Sequence, residues 1–491
     1  MQRKGDFWIA IFPLVLLISL IAMTVPLFGD EITAGPAQIA LLSTAVITTL
    51  IAMLYKKVSW EHIENCMLGQ LSKTGSAIFI LLMIGALTGT WMQSGVVPTM
   101  IYYGLKIIHP SIFLVIAFIL SAIISIMSGS SWTTIGTFGV AMLSAGQILG
   151  IPAPWLAGAI ISGAYLGDKA SPLSDTVNLC TSVTGVNLYL HVRYQLITTI
   201  PAAILSIIFF GVAGFVIPTS STFDIHTQTE ALKSTFWISP WLLLVPAFTI
   251  ALIVKKVSPF ITLFLSAVLG AVVAIIAQPE LCRQMVAHGH NAIGLAFSEM
   301  PGWKVAWEAG LRMISGSVSV ETGNEMLNTL TATRGMAGML NTVWLILCVV
   351  TFGGAMEAGE MIQTITRQMT KYMRNAFGLV AGTTGTCIFF NLTLSDQYMS
   401  VLLPGKMFAE AYEKQGYRPE LLSRALGDSG TVTSVLVPWN TCGVVQSSVL
   451  HVATLSYLPY CFFNLIIPVI SLFIAAIGYK IKRDVPNQPT Q

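Results

Sequence analysis

The chain has 491 residues, of which 54% are hydrophobic and only 10% are charged, and its formal net charge is +3. Soluble domains usually carry about 25% charged residues, so this composition excludes an ordinary soluble protein and indicates many membrane crossings. The small net charge offers no basic surface for nucleic acid, and the seven scattered cysteines form neither a disulfide framework nor a zinc motif.

Long runs without charged residues mark the predicted crossings in chain order. The first, Phe7–Phe28, is too long for a typical signal-peptide core and is followed by further runs, so we expect a retained first helix. Three later runs exceed one helix and contain glycine and proline, which predicts broken helices or re-entrant hairpins near the midplane. We expect an all-α polytopic membrane protein with roughly 10–12 transmembrane segments. The later runs are Ile32–Tyr55, Thr74–Leu105, Ile107–Gly167, Tyr194–Phe223, Ser234–Val254, Val257–Pro279, Gly335–Met356, Asn375–Ser395 and Ser429–Tyr479.

Basic residues near the span ends predict the orientation, because cytoplasmic loops carry an excess of lysine and arginine. Arg3-Lys4 precede the first span, Lys56-Lys57 follow the second and Lys480–Arg483 follow the last, whereas Asp30-Glu31 lie between the first two. We therefore expect both termini in the cytoplasm. On this count the polar stretch at about 278–334 is an extramembrane insertion on the outer side.

An internal repeat divides the chain into two halves. Because the first half starts inside and the second starts outside, the halves are predicted to be inverted relative to each other, an arrangement known in transporters. We place the first membrane repeat at 1–223, a connecting loop at 224–235 and the second repeat at 236–491. The recurring pairs are Leu166-Gly-Asp168 with Leu426-Gly-Asp428, Leu190-His-Val192 with Leu450-His-Val452, Met92-x-x-Gly95 with Met356-x-x-Gly359, and Phe7-Trp-Ile9 with Phe236-Trp-Ile238.

The stretch Gly167–Thr176 concentrates polar chemistry after a long run without Asp, Glu, Lys or Arg. Its carboxylates, Asp168 and Asp175, are costly at membrane depth unless they pair or line a watery cavity. Its proline interrupts a helix, and freed carbonyls beside carboxylates and hydroxyls are oxygen ligands suited to a hard cation. We predict a broken helix that holds a small cation, with Lys169 as a counter-charge when the cation is absent. A structural ion pair at a helix end is the alternative.

Four further breaks are candidate sites. Ser128–Thr134 interrupts an apolar run with small residues, which suits either an ion or carboxylate site or close helix packing. In the second half, Asn391–Gln397 and Asp428–Ser434 occupy the corresponding places, and Pro438–Cys442 follows as another break. For Asp428, a helix cap at the membrane surface is the alternative. The predicted ion- or substrate-binding residues are Ser128, Ser130, Ser131, Thr133, Asp168, Ser171, Ser174, Asp175, Asn391, Ser395, Asp396, Asp428, Thr431 and Asn440, with Asp168, Asp175 and Asp396 as candidate Na⁺ ligands.

Gly167–Thr176 resembles the hallmark of the NhaC-type Na⁺/H⁺ antiporter family. The resemblance implies a multi-pass secondary transporter of the bacterial inner membrane, from a family of Na⁺/H⁺ exchangers and of carriers that couple Na⁺ or H⁺ to organic acids or amino acids. Gly427 departs from the family pattern, which has an acid there, so no second acid lies beside Asp428. The second-half motifs that carry the resemblance are Asp396-Gln-Tyr398, Pro404-Gly405, Ser423-Arg-Ala425, Asp428–Ser434 and Pro438–Gly443.

We expect exchange of external H⁺ for internal Na⁺ by alternating access, because a carboxylate that binds Na⁺ must lose its proton. The chain has no nucleotide-binding Gly-Lys-Ser/Thr motif, so ion gradients are expected to supply the energy. The alternative is a Na⁺- or H⁺-coupled carrier whose organic acid or amino acid binds at the helix breaks. No nucleophile motif suggests an enzyme. Beyond the lipid bilayer we expect Na⁺ and H⁺ as partners and no cofactor, and a homodimer is left open.

Overall fold

The computed structural model describes residues 4–28, 35–107, 109–217, 225–292, 300–318, 328, 332–361, 364–365, 375–394 and 396–483. Within these residues the regular structure is helical apart from two isolated β-bridges, which confirms the all-α prediction. The α-helices are α1 Lys4–Phe28, α2 Pro36–Tyr55, α3 Trp60–Gln93, α4 Val96–Ile107, α5 Pro110–Ser128, α6 Ser131–Thr134, α7 Val140–Ile148, α8 Ala153–Ala170, α9 Asp175–Thr184, α10 Leu188–Val216, α11 Ile225–Thr235, α12 Leu244–Val254, α13 Pro259–Ala277, α14 Pro279–Ala292, α15 Gly302–Ser315, α16 Leu340–Ala358, α17 Ala376–Thr393, α18 Gln397–Lys414, α19 Pro419–Thr433, α20 Thr441–Leu450, α21 Thr454–Tyr457 and α22 Phe462–Ile477.

Length and hydropathy identify a multi-pass membrane protein. In the described part of the chain, eight helices are long and apolar enough to cross a membrane, or up to ten if each of two bent pairs is one span. The bends are 88° between Thr229–Thr235 and Pro240–Val254, and 56° between Thr454–Tyr460 and Phe462–Ile477. Ten spans is the lower end of the predicted range. Beside the polar breaks, α5 and α17 are among the eight, whereas α8, α18 and α19 are not, because they are short or carry polar residues.

The helix α5 ends at a break, and the chain then returns alongside it. Gly129 has a φ of 67°, and the Leu173 backbone lies 2.7 Å from where a Cβ would be, so the position requires glycine. Beyond Ser130 the chain returns through α6, a π-helical turn and α7, and Gly146 packs against Phe113. The segment α5–α7 is therefore an antiparallel hairpin, called hairpin 1.

A second hairpin, called hairpin 2, consists of α17 and α18. α17 ends at Thr393, and Asp396 caps α18 by accepting a hydrogen bond from the Met399 N–H at 2.8 Å. The hydroxyl groups of Thr383 and Tyr412 are 2.9 Å apart and link the two arms. The two hairpins thus occupy corresponding positions in the two halves of the chain.

An interrupted helix follows each hairpin. In the first half, α8 ends at Ala170 and helix resumes as α9 after the break at 171–174. In the second half, α19 passes into a 3₁₀ turn at Ser434–Leu436, and helix resumes as α20. The order of hairpin and interrupted helix is therefore the same in both halves, as the internal repeat predicts.

Hairpin 1 packs on the interrupted helix through a glycine-lined contact between α5 and α8. Gly163 and Gly167 have the Gly-x-x-x-Gly spacing that allows two membrane helices to approach closely. A Cβ at either glycine would lie within 2.3 Å of a carbonyl oxygen of α5. The Ser125 hydroxyl also donates to the Ala164 carbonyl at 2.6 Å. The two backbones are thus in direct contact.

α3 and α13 run parallel to each other along one side of the hairpins. The rings of Phe79 and Phe260 are 6.1 Å apart near the start of α13, and Gly270 lies against Thr90 further along both helices. Each of these helices follows the tetrapeptide Lys-Lys-Val-Ser, at 56–59 and 255–258. Because α3 and α13 are parallel, the two lysine-rich turns lie toward the same side of the membrane.

The polar stretch at 278–334 contributes two described helices, α14 and α15, neither of which qualifies as a span. α15 buries Val305, Ala309 and Met313 and exposes Trp303 and Trp307, each of which is 69% accessible. The helix is therefore packed on one face only, which is typical of an amphipathic helix that lies on the protein surface.

Candidate functional site

A polar cavity of about 250 Å³ lies where the first interrupted helix and the two hairpin breaks meet α3 and the turn between α12 and α13. Thirteen of the fourteen predicted site residues lie in the described part of the chain, and seven of these line the cavity. The structure therefore brings together polar groups that are far apart in sequence. The predicted residues that line the cavity are Ser128, Ser130, Ser131, Thr133, Asp168, Asp175 and Asp396.

Asp168 is the carboxylate that ties hairpin 1 to the interrupted helix. It is 7% exposed, although it lines the cavity. Asp168 Oδ2 accepts hydrogen bonds from the Ser131 hydroxyl at 2.8 Å and from the Ser131 N–H at 3.3 Å. Ser130 caps the next turn by accepting from the Thr133 N–H at 3.2 Å. Carboxylate, hydroxyl and backbone oxygens at this point are the donor set that a hard cation prefers.

Asp175 and Asp396 lie at the first turns of two other helices. Asp175 is the exposed first residue of α9, which Ser174 caps by accepting from the Val177 N–H at 3.3 Å. Asp396 is 9% exposed and caps α18. In the described residues no group of three His, Cys, Asp or Glu side chains is close enough to hold a metal ion. A Na⁺ ion here would therefore need hydroxyl, amide or carbonyl oxygens beside an acid.

Three helices begin at the cavity wall, which affects its electrostatics. α9, α18 and α20 start at Asp175, Gln397 and Thr441, and all three residues line the cavity. The N-terminal end of a helix carries a partial positive charge, which stabilises a nearby carboxylate within about one turn. The helix starts therefore reduce the cost of holding acids in an apolar protein.

The asparagines of the second half brace the fold around the cavity and do not line it. The Asn391 side-chain N–H donates to the Gly430 carbonyl at 2.9 Å and to the Thr433 hydroxyl at 3.0 Å. The Asn440 side-chain N–H donates to the Asn391 carbonyl at 3.1 Å. These bonds join hairpin 2 to the second interrupted helix. The predicted binding roles of both asparagines stay predictions.

Three predicted hydroxyl residues lie outside the cavity lining, where Ser171 bonds to α5 and the other two bond within their own segments. Ser171 donates to the Ile126 carbonyl at 2.7 Å, and Thr431 donates to the Gly427 carbonyl at 2.8 Å. Ser174 caps α9, as described above. Ser395 lies outside the described residues. Their roles as ligands therefore remain predictions.

Lys169 pairs with Asp428 of the other half, which differs from the predicted counter-charge beside Asp168 and Asp175. Lys169 Nζ lies 2.7 Å from Asp428 Oδ1, and both side chains are at most 1% exposed. Thr198 donates to the same oxygen at 2.9 Å, and Arg424 Nε lies 3.8 Å from Asp428 Oδ2. Successive helical residues point about 100° apart, so Lys169 and Asp168 face different neighbours. Asp428 lies inside α19 and is not a helix cap.

Several residues that line the cavity were not predicted from the sequence. Some belong to α3, where an apolar run gave no sign that one end faces a polar cavity. The repeated Lys-Lys-Val-Ser tetrapeptide was a signal that could have drawn attention to Lys256. The missed polar residues that line the cavity include Thr74, Ser76, Thr176, Lys256, Tyr398 and Thr441.

A polytopic helical protein with a polar cavity between interrupted helices has the architecture of a secondary transporter. The chain belongs to the Na⁺/H⁺ antiporter family, whose sequence model matches residues 163–479. It is 33% identical over 449 residues to the Na⁺/H⁺ antiporter NhaC of Alkalihalophilus pseudofirmus, with 91% of each chain covered.

Two other relatives carry names that include organic solutes. The malate-2H⁺/Na⁺-lactate antiporter of Bacillus subtilis is 34% identical over 435 residues, covering 88% of this chain and 87% of that protein. The arginine/ornithine antiporter ArcD of Halobacterium salinarum is 30% identical over 491 residues, covering 99% of this chain and 95% of that protein. All three relatives are antiporters, which agrees with the architecture of the cavity.

Proposed function

We propose that the protein exchanges Na⁺ for H⁺ across the bacterial inner membrane by alternating access. The observation that carries this proposal is the buried Asp168 carboxylate, which lines the cavity and accepts two hydrogen bonds from Ser131 of hairpin 1. A carboxylate must lose its proton before it can bind Na⁺, so the two cations compete for one group. Loading of Na⁺ from one side and of H⁺ from the other then produces exchange.

Purified protein in liposomes tests this proposal. A Na⁺ gradient imposed across the liposome membrane should change the internal pH, whereas an equal choline gradient should not. The expected direction is acidification of the compartment from which Na⁺ leaves, because each exchanged proton enters it. The absence of any Na⁺-dependent pH change in protein that is folded and inserted would contradict the proposal.

A second candidate function is Na⁺- or H⁺-coupled transport of a small organic acid or amino acid. The size of the cavity favours it, since about 250 Å³ is several times the roughly 30 Å³ that one water molecule occupies in the liquid. The relatives named for malate, lactate, arginine and ornithine support the same alternative. No pH response to Na⁺, together with Na⁺-stimulated uptake of labelled malate or arginine, would favour this function over simple exchange.

The proposed orientation places both termini and the two Lys-Lys-Val-Ser turns in the cytoplasm, and 278–334 outside. We expect single cysteines at Lys56 and Lys255 to react with an impermeant maleimide only in everted vesicles, and a cysteine at Glu280 only in right-side-out vesicles. A Cys66→Ser background is suitable because the other six cysteines are buried. Labelling of position 280 from the cytoplasmic side would overturn the orientation.

The predicted repeat boundaries and the homodimer belong to the same proposal. Repeats at 1–223 and 236–491, joined at 224–235, agree with the repeated order of hairpin and interrupted helix. Multi-angle light scattering of the protein in detergent measures the oligomer, and a homodimer is expected to give twice the protein mass of the 52.9 kDa chain.

A further inference from the structure

We infer that Lys256 sets the Na⁺ affinity of the cavity from the side on which it lies, by acting as a fixed positive charge at the cavity mouth. The inference rests on the proposed exchange of Na⁺ for H⁺ through this cavity. It assigns a role in ion affinity to a residue that binds neither cation.

The exposure of the lining residues shows where the mouth is. Ser131, Asp168 and Thr133 line the cavity and are buried. Lys256 and Ser258, which belong to the turn between α12 and α13, also line it but are exposed, as are Ser76, Asp175 and Tyr398. The cavity therefore opens beside this turn, and an ion that enters from this side passes the lysine.

The charge of the lining makes Lys256 unusual. Among the described residues that line the cavity, three are carboxylates and Lys256 is the one basic residue. A lysine repels Na⁺, so a cavity that only had to bind Na⁺ tightly would do better without it. A positive charge at the mouth weakens binding there and thereby favours release of the ion to that side.

The backbone of the turn holds the lysine in place. Lys256 has a φ of 58°, in the left-handed region that ends a helix and reverses the chain. Its N–H donates to the Ile253 carbonyl at 2.8 Å, and the Val257 N–H donates to the Leu252 carbonyl at 3.1 Å. Ser258 then caps α13. The Cα of Lys256 is thus fixed over the cavity, and the charge stays near the mouth although the side chain is long.

The chain supplies a matched control in Lys57. It occupies the same position of the same tetrapeptide, has a similar φ of 55° and precedes α3, which runs parallel to α13. Lys57 does not line the cavity. A change in net charge alone is the same in both series, whereas an effect of charge at the cavity mouth requires Lys256.

The test is a charge series at position 256, compared with the same series at position 57. Lys256→Arg keeps the charge, Lys256→Gln removes it and Lys256→Glu reverses it. We measure the KM for Na⁺ at one pH in everted vesicles, which present the proposed cytoplasmic face, and the Kd for ²²Na⁺ in detergent. Lys256→Gln should lower both constants about 3- to 10-fold, as expected for one unit charge several ångströms from the ion in a partly aqueous cavity.

The other variants and the salt dependence show whether Lys256 acts through its charge or through a structural role. Lys256→Glu should lower the constants further, Lys256→Arg should leave them unchanged, and about 0.5 M choline chloride should reduce the differences by screening. The Lys57 variants should match the unmodified protein. Because Lys256 is exposed, the variants should melt at the same temperature.

Three outcomes would overturn the inference. The first is that the constants are equal across the Lys256 series, and the second is that the Lys57 series has an equal effect. The third is that Lys256→Gln leaves Na⁺ binding unchanged but loses the binding of labelled malate. The last result would make Lys256 an anion-binding residue. If the unmodified protein binds ²²Na⁺ but shows no Na⁺-dependent pH change, the proposed exchange fails, while the Kd series still decides the role of Lys256. If it does not bind ²²Na⁺, both fail.

Discussion

Asp168→Asn is expected to abolish Na⁺-dependent proton movement while the protein remains folded and inserted. The amide keeps the shape of the side chain and one oxygen acceptor for the Ser131 hydroxyl. It carries no charge and cannot release a proton, so competition between Na⁺ and H⁺ disappears. We expect the initial rate of the pH change in proteoliposomes to fall at least about 100-fold, which corresponds to roughly 2.7 kcal/mol.

Two further variants make this result specific. Glu61→Gln removes an exposed acid outside the cavity lining and should leave the rate unchanged. Asp396→Asn should preserve the cap of α18, because asparagine caps helices as well as aspartate does, so any loss of transport reports the missing charge. Normal exchange by a well-folded Asp168→Asn protein would remove Asp168 from the ion site.

The buried ion pair of Lys169 with Asp428 is expected to have a large effect on the stability of the protein. Lys169→Met should lower the free energy of unfolding by about 3–5 kcal/mol, because it leaves a buried carboxylate without its closest partner. Asp428→Asn should cost more than Lys169→Met, since it leaves two buried cations, Lys169 and Arg424, without the acid between them. The double variant Lys169→Met/Asp428→Leu should be more stable than Asp428→Asn, because Lys169 is no longer a buried charge, but it should remain below the unmodified protein, because Arg424 is still buried without its acid.

Denaturation of the detergent-solubilised protein by increasing SDS measures these differences. The matched control is the exposed pair of Lys414 with Glu410, which is 2.6 Å apart with side chains more than 70% accessible. Lys414→Ala should change the stability by less than about 1 kcal/mol, because solvent screens surface pairs. If Lys169→Met were no more damaging than Lys414→Ala, the buried pair would have no stabilising role.

The membrane class and the helix breaks were accessible from sequence because they depend on local chemistry. The absence of charge over long runs predicts spans, and the polar residues at Ser128–Thr134 and Gly167–Thr176 predict the two breaks of the first half. The capping residues Ser130 and Asp396 were selected as site residues, and both line the cavity. Residues that both interrupt a helix and carry oxygen ligands can therefore be predicted from the sequence alone.

The partner of Lys169 and the far wall of the cavity could not be predicted, because both depend on how distant segments pack. Lys169 adjoins Asp168 in sequence but faces Asp428 in the fold, since the direction of a helical side chain changes by about 100° per residue. Thr74 and Ser76 lie at the edge of an apolar run, which has the same composition whether it faces lipid or the cavity. The hydrogen bond from Asn391 to the Gly430 carbonyl, which joins two segments, likewise depends on the packing and could not be predicted.

The glycine contact between α5 and α8 restricts where the molecule can bend. The carbonyl oxygens of α5 lie against the Cα atoms of Gly163 and Gly167, so no side chains separate the two helices. Without side chains between them that can change rotamer, one helix cannot easily slide past the other. We therefore expect hairpin 1 and α8 to move as one unit that carries Asp168 with it. The cavity separates this unit from α3 and from the turn between α12 and α13, so we expect an exchange of access to open or close that gap.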